Sequence, residues 1–240
     1  MKRWILRMGL MLWLMCSAVA LLHVHYTPNL SRLYRQASPA VVWIGAEYDF
    51  DIPENDPYSY GVKWQGTGFF VTPDLIATAG HVTKNTQSFE VMFSDGTRAK
   101  ADFVHMESME RCDVGFIKLR SEHRKPRPYF NLGTKVKIGE ELIILGYPWG
   151  LNNGITLTQG VVSLYGRGEP FFGTKLVLHT DTASWPGNSG SPVVDMDGEC
   201  VGILIGGMYG CDNFSIVTPA RLVELAMQKA IAEIGLREAK

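Results

Sequence analysis

The chain is predicted to be all-β, built as a sandwich or as closed barrels, on three observations. Short runs of β-branched or alternating apolar residues follow one another along most of its length. Glycine, proline, asparagine and aspartate separate the runs, and helical periodicity is confined to the two ends.

Taken in order, the predicted strands are AVVWIGA (40–46), GTGFFVTP (66–73), LIATAG (75–80), FEVMF (89–93) and VGFIKL (114–119). HRKPRPY (123–129), with two prolines and three bases, reads as a connector. Beyond it come ELIILGY (141–147), GITLTQGVVSLY (154–165), KLVLHTD (175–181), SPVVD (191–195), CVGILIG (200–206) and FSIVTP (214–219). A short helix is predicted over NLSRLYRQ (29–36), behind Asn29 as N-cap. The segment 220–240 places Val223, Met227, Ala230 and Ile234 on one side of a terminal helix that should pack on the strands.

With 240 residues, 46% of them hydrophobic, the chain can bury a full core as one unit or two fused barrels. Its 23 basic and 24 acidic residues leave a net charge of -1, which argues against nucleic acid and for a peptide or protein partner. Residues 1–26 differ: Lys2, Arg3 and Arg7 precede an apolar stretch from Met8 to Leu22, the pattern of an export signal. Ala18 and Ala20 permit cleavage and secretion. Retention of residues 5–26 would leave a membrane anchor, with Trp4 and Tyr26 at the interfaces, and this is the fate favoured here. Either way the body lies outside the cytoplasm. Cys16, Cys112, Cys200 and Cys211 lack zinc-site spacing, so no metal is expected, and buried small hydrophobes are favoured over a disulfide.

The chemistry is predicted at ASWPGNSGSPV (183–193), where glycines and prolines crowd around one serine. Attack on a peptide carbonyl needs a nucleophile, an oriented base and donors aimed at the developing oxyanion. Ser189 is the candidate nucleophile, and the turn can offer the N–H groups of Gly187 and Ser189 as donors. The candidate base is His81, after an apolar strand and a small-residue turn; the candidate orienting carboxylate is Asp113, at the mouth of VGFIKL. His23 and His25 belong to the leader, His105 and His123 sit in polar stretches, and His179 alternates within a strand.

GTGFFVTPDLIATAGHV, CDVGFIKL and PGNSGSPV resemble the histidine, aspartate and serine motifs of trypsin-like serine proteases. From about residue 31 to 225 the resemblance is to the HtrA (DegP/DegS-like) branch, through GYPWGLNNGITLTQGVVSLYGR, LHTDTASWPGNSGSPVV and the segment from GECVGILIGG to NFSIVTPARL. It implies a chymotrypsin-like double β-barrel, with barrel one at 31–125, barrel two at 126–219 and a C-terminal helix at 220–240. It further implies His81 as general base, Asp113 as its orienter, Ser189 as nucleophile and an oxyanion hole from Gly187 and Ser189. No cofactor is implied. By this fold a pocket of Ser184, Trp185, Leu204, Ile205, Gly206 and Gly207 would receive the side chain before the scissile bond; none of these is charged, so small to medium apolar residues are expected there.

The resemblance also implies a periplasmic protein acting on exported or misfolded proteins, a homotrimer and a regulatory Arg167. Two departures are visible. HtrA proteases usually carry PDZ domains after the protease, and none is expected in this sequence; their GNSGG is GNSGS here, with Ser191. The segment 47–61, with five acids, no base and Tyr48, Phe50, Tyr58 and Tyr60, falls where the family has a variable loop, read as a solvated insertion or a subunit contact. The rival to an enzyme is a non-catalytic binding module or chaperone that uses the same groove.

Overall fold

A computed structural model of the chain describes residues 29–46, 65–123, 125–133, 135–150, 154–166, 176–208 and 213–239, together with Met11. The predicted leader or anchor (Met11 apart), the acidic segment 47–61, Arg167 and Cys211 lie outside the described residues. Among the described residues no helix is long and apolar enough to cross a membrane. The chain divides into Met1–Leu33 and a body, Tyr34–Lys240, that holds all of the strands.

In the body β1 (Val41–Ala46), β2 (Gln65–Phe70), β3 (Leu75–Ala79), β4 (Ser88–Met92), β5 (Arg98–Glu107) and β6 (Val114–Leu119) close a first antiparallel barrel in the order β1-β2-β3-β6-β5-β4. A second barrel, β10-β11-β12-β9-β8-β7, is built from β7 (Glu141–Gly146), β8 (Thr156–Gly166), β9 (Val177–Thr180), β10 (Pro192–Asp195), β11 (Cys200–Gly207) and β12 (Ser215–Pro219). This is the double barrel that the sequence motifs implied. Closure leaves neither sheet with an open edge.

Every residue of β3 is buried, which explains why Leu75–Ala79 reads as a continuous apolar run rather than an alternation. One face lines its own barrel and the strand also meets β11 of the other. Leu142, Ile144, Val162, Leu178, Val193, Val201, Leu204 and Val217 fill the second barrel. Burial of each such side chain contributes about 1.5–3 kcal/mol. Just beyond the connector the chain ties to both barrels: Phe130 N–H donates to the Phe70 carbonyl at 2.9 Å, and Cys200 N–H to the Asn131 carbonyl at 2.9 Å.

The helices are α1 (Leu30–Ala37), α2 (Gly80–Thr83) and α3 (Ala220–Glu238). Asn29 caps α1 as predicted, its Oδ1 accepting the Arg32 N–H at 3.0 Å. Helix α3 packs on β5 and β6 of the first barrel and β11 and β12 of the second. The face it buries is Ala220, Val223, Ala226 and Ala230, with the predicted Met227 and Ile234 only partly covered. Three alanines let the helix axis approach two barrels at once, where a stripe of long side chains would hold it off.

Strand β5 was not foreseen. Its buried positions include Ala99, Ala101 and Val104, and small residues between charged ones give little hydrophobic signal. Cys112 and Cys200 are both free and buried. Burial, with the Glu107 and Asp113 charges nearby, pushes the Cys112 thiol up to about 12, and burial does the same for Cys200, so neither is a ready thiolate.

Candidate active site

Asp113 stands just before β6 and is 1% exposed. Its backbone is left-handed, φ 51°, in a turn where the N–H groups of Arg111, Cys112 and Asp113 all donate to the Ser108 carbonyl at 2.9–3.0 Å. That conformation carries the carboxylate back over the first turn of α2. Oδ1 accepts the His81 N–H at 2.8 Å and Oδ2 lies 2.7 Å from His81 Nδ1. An ionised carboxylate only accepts, so in the neutral imidazole Nδ1 is the nitrogen that carries the proton and Nε2 the one with the lone pair. Gly80, between the two, has no room for a side chain: a Cβ there would lie 2.8 Å from the Glu107 carbonyl oxygen and 2.9 Å from Asp113 Oδ1.

Glu107, at the end of β5, anchors this turn from behind and was not singled out in the sequence. Its carboxylate takes bonds from Lys229 and from Arg111 (3.3 Å), and from His105 Nε2 (3.3 Å), whose Nδ1 meets Glu233 at 2.6 Å. Burial pushes the Glu107 carboxyl up, but the bonds from Lys229, His105 and Arg111 outweigh it and hold it below the usual carboxylate range. Lys229 and Glu233 lie on α3, more than 120 residues along the chain from Glu107 and His105, so no local pattern announces the cluster.

Ser189 sits in the turn between β9 and β10 of the other barrel. Each backbone carbonyl from 186 to 189 is taken: Pro186 by Trp149 N–H (2.6 Å), Gly187 by the Thr67 hydroxyl (2.9 Å), Asn188 by Ser191 N–H (2.9 Å) and Ser189 by Thr67 N–H (2.8 Å). Asn188 N–H donates to Trp185 and Gly190 N–H to Leu204. Among the described residues the N–H groups of Gly187 and Ser189 have no acceptor. Two buried-turn donors left open, two residues apart, form a site for a negatively charged oxygen. The turn needs its glycines: Gly187 has φ 95° and Gly190 φ 90°, and a Cβ on Gly190 would lie 2.0 Å from the Thr67 carbonyl oxygen.

The two halves meet at the seam between the barrels. A Cβ on Gly66 would touch the Ser189 carbonyl oxygen at 2.9 Å and Val82, next to His81, at 2.8 Å; a Cβ on Gly190 would reach Ala79 N at 2.9 Å. Among the described residues the Ser189 hydroxyl makes no hydrogen bond, so the bond from Oγ to Nε2 is not formed here. Such contacts tighten on substrate binding.

Beside Ser189 opens a cavity of about 290 Å³. Of the residues expected to form the substrate pocket, Ser184, Trp185, Leu204, Gly206 and Gly207 line this cavity and Ile205 does not. A bulge between Leu204 and Gly206 shifts the register of β11 on β12, and Ile205, 3% exposed, is turned away into the packing. Pro186, Met208, Asn213 and Phe214 complete the lining instead. Ser184 Oγ and Ser215 Oγ are 2.7 Å apart at its polar end.

The model of the trypsin-like peptidase domain matches residues 66–203, from β2 into β11. This chain belongs to the trypsin-like peptidase family. Among proteins of that family, a probable periplasmic DegP-like serine endoprotease of Chlamydia pneumoniae is 30% identical over 176 residues, covering 70% of this chain and 35% of its own. The corresponding protein of Hahella chejuensis is 30% identical over 204 residues (73% and 42%), and the serine protease HTRA1 of Xenopus laevis 34% over 143 (58% and 30%). The chain thus spans about a third of the length of the curated relatives it matches. The same fold occurs in the HtrA-type protease AlgW with a tripeptide, at TM-score 0.71 and 24% identity over 85% of this chain and 64% of that one. The HtrA-type branch, read from the motifs, is the one these likenesses support.

Proposed function

We propose that this trypsin-like peptidase is a serine endopeptidase that uses Ser189 as nucleophile, His81 as general base and Asp113 to orient the histidine. Ser189 Oγ attacks the scissile carbonyl as His81 Nε2 takes its proton; the imidazolium so formed is stabilised by Asp113 and returns the proton to the leaving amine. Water then cleaves the acyl ester with the same histidine as base. The Gly187 and Ser189 N–H groups hold the tetrahedral oxyanion in both steps. The reading is carried by one observation above all: between the Pro186 carbonyl and the Gly190 N–H the serine turn spends every other polar backbone group on bonds and, among the described residues, leaves those two donors open.

The side chain before the scissile bond enters the cavity lined by Ser184, Trp185, Leu204, Gly206 and Gly207. Among the described residues no lining residue carries a charge, so a buried Lys, Arg or Glu would cost several kcal/mol in desolvation, while an aliphatic group gains up to about 2 kcal/mol. Val, Ile, Ala and Leu are the preferred residues. Substrates are exported or misfolded proteins outside the cytoplasm, in keeping with relatives named as periplasmic endoproteases. Anchoring by residues 5–26, a homotrimer and a regulatory Arg167 belong to the same proposal.

Digestion of an unfolded protein, with the products read by mass spectrometry, tests it. Cleavage after small apolar residues, abolished in Ser189→Ala with the fold retained, is expected. Turnover by Ser189→Ala above a few per cent of wild type would remove the nucleophile assignment. Dominant cuts after Arg, Lys or Glu would remove the pocket assignment, and binding without any cleavage would favour a chaperone.

A further inference from the structure

Thr67 lies in β2 of the first barrel, is fully buried, and uses all of its polar groups. Its N–H donates to the Ser189 carbonyl at 2.8 Å and its carbonyl accepts the Thr78 hydroxyl at 2.7 Å. Its own hydroxyl is bound on both sides, accepting Tyr147 N–H at 3.0 Å and donating to the Gly187 carbonyl at 2.9 Å. Trp149 N–H holds the preceding carbonyl, Pro186, at 2.6 Å. The segment 147–149 therefore fixes the two peptide planes that flank Gly187, one directly and one through the Thr67 hydroxyl.

A peptide unit is planar, so fixing its carbonyl fixes the N–H across from it. With Pro186 C=O held toward Trp149, the Gly187 N–H points the opposite way. The neighbouring plane must hold as well, because Gly187 has no side chain to restrict its φ and ψ. Without the Thr67 hydroxyl, the Gly187 carbonyl would lose its donor, the Gly187–Asn188 plane would rest on the Asn188 N–H bond to Trp185 alone, and the Gly187 Cα at the junction of the two planes would be free to shift, carrying its N–H with it.

We propose that Thr67 is a positioning residue for the reaction: its hydroxyl bridges Tyr147 N–H and Gly187 C=O and so, together with the Trp149–Pro186 bond that aims the Gly187 N–H, holds Gly187 in place at the developing oxyanion. The proposal rests on the serine-nucleophile reading above. It makes the first barrel a contributor to the oxyanion site, although both donors belong to the second. A misplacement of about 1 Å in such a site costs on the order of 10² in rate.

The test compares wild type, Thr67→Val, which keeps the shape and removes the hydroxyl, and Thr67→Ser, which restores it. For each full-length protein, kcat and KM are measured on one peptide, with the affinities for a peptide boronate and for the cleaved product peptide. The boronate forms a tetrahedral adduct that places an oxygen between the amide donors; the product peptide does not. Thr67→Val should lose about 100-fold in kcat and in boronate affinity, with KM and product affinity changed less than threefold, and Thr67→Ser should recover to within about threefold of wild type.

If Thr67→Val does not fold, Thr67→Ala, which leaves room for a water, is held to the same criteria. Thr67→Val within threefold of an active wild type overturns the role of Thr67 alone. Boronate and product affinities that fall together, a Thr67→Ser variant as impaired as Thr67→Val, or failure of both hydroxyl-free variants to fold would assign the residue to stability and overturn it equally. A wild type that neither hydrolyses peptide nor binds boronate ends the serine reading, and the Thr67 role with it.

Discussion

His81 and Asp113 come from one barrel and are joined by hydrogen bonds of 2.7 and 2.8 Å through a carboxylate 1% exposed. Ser189 comes from the other barrel, in a turn held by backbone bonds and by Thr67, with its hydroxyl unengaged among the described residues. Different substitutions therefore damage the two halves. On the first half a change of side-chain chemistry alters the reaction while leaving the scaffold. On the second the proposed oxyanion donors are backbone N–H groups, so an added Cβ strains the scaffold as well as the site.

The largest effect that tests this contrast is Asp113→Asn. The amide keeps the shape of the carboxylate but can no longer stabilise an imidazolium, and it favours the wrong ring tautomer. A loss on the order of 10⁴ in kcat is expected, with a thermal midpoint within a few degrees of wild type. A loss below tenfold would move the orienting role elsewhere and dissolve the distinction between the halves.

A smaller effect, on stability rather than chemistry, is expected of Gly190→Ala. The new Cβ would meet the Thr67 carbonyl oxygen at 2.0 Å on a backbone with φ 90°. Strain and overpacking together should remove roughly 2–4 kcal/mol, read as a lower urea midpoint at unchanged m. An unchanged midpoint would show the turn to be more compliant than its bonds suggest.

The candidate nucleophile turn and His81 stand out in the sequence because each adjoins an apolar strand and a run of small residues, and Asp113 because it opens the apolar strand VGFIKL. The double barrel was legible through the family motifs, since strand periodicity alone left a sandwich open. Strand β5 was hidden by its alanines and charges. Thr67 lay inside a quoted motif, yet its partners are 80 and 120 positions away, and nothing local distinguishes its hydroxyl from that of any strand threonine. Ile205 is absent from the lining although the whole run Leu204–Gly207 was expected there, because successive side chains of a strand point to opposite faces. The Glu107 cluster and the lining by Met208 and Phe214 likewise arise from contacts between distant segments.

The central claim is that Ser189, beside the open Gly187 and Ser189 amides, is a nucleophile activated by His81. Its most direct test is intact-mass and peptide-mapping analysis of the full-length protein after treatment with a fluorophosphonate. The account predicts a single adduct on Ser189, formed much more slowly in His81→Ala and absent in Ser189→Ala. An adduct elsewhere, or one on Ser189 that forms equally fast without His81, would contradict it.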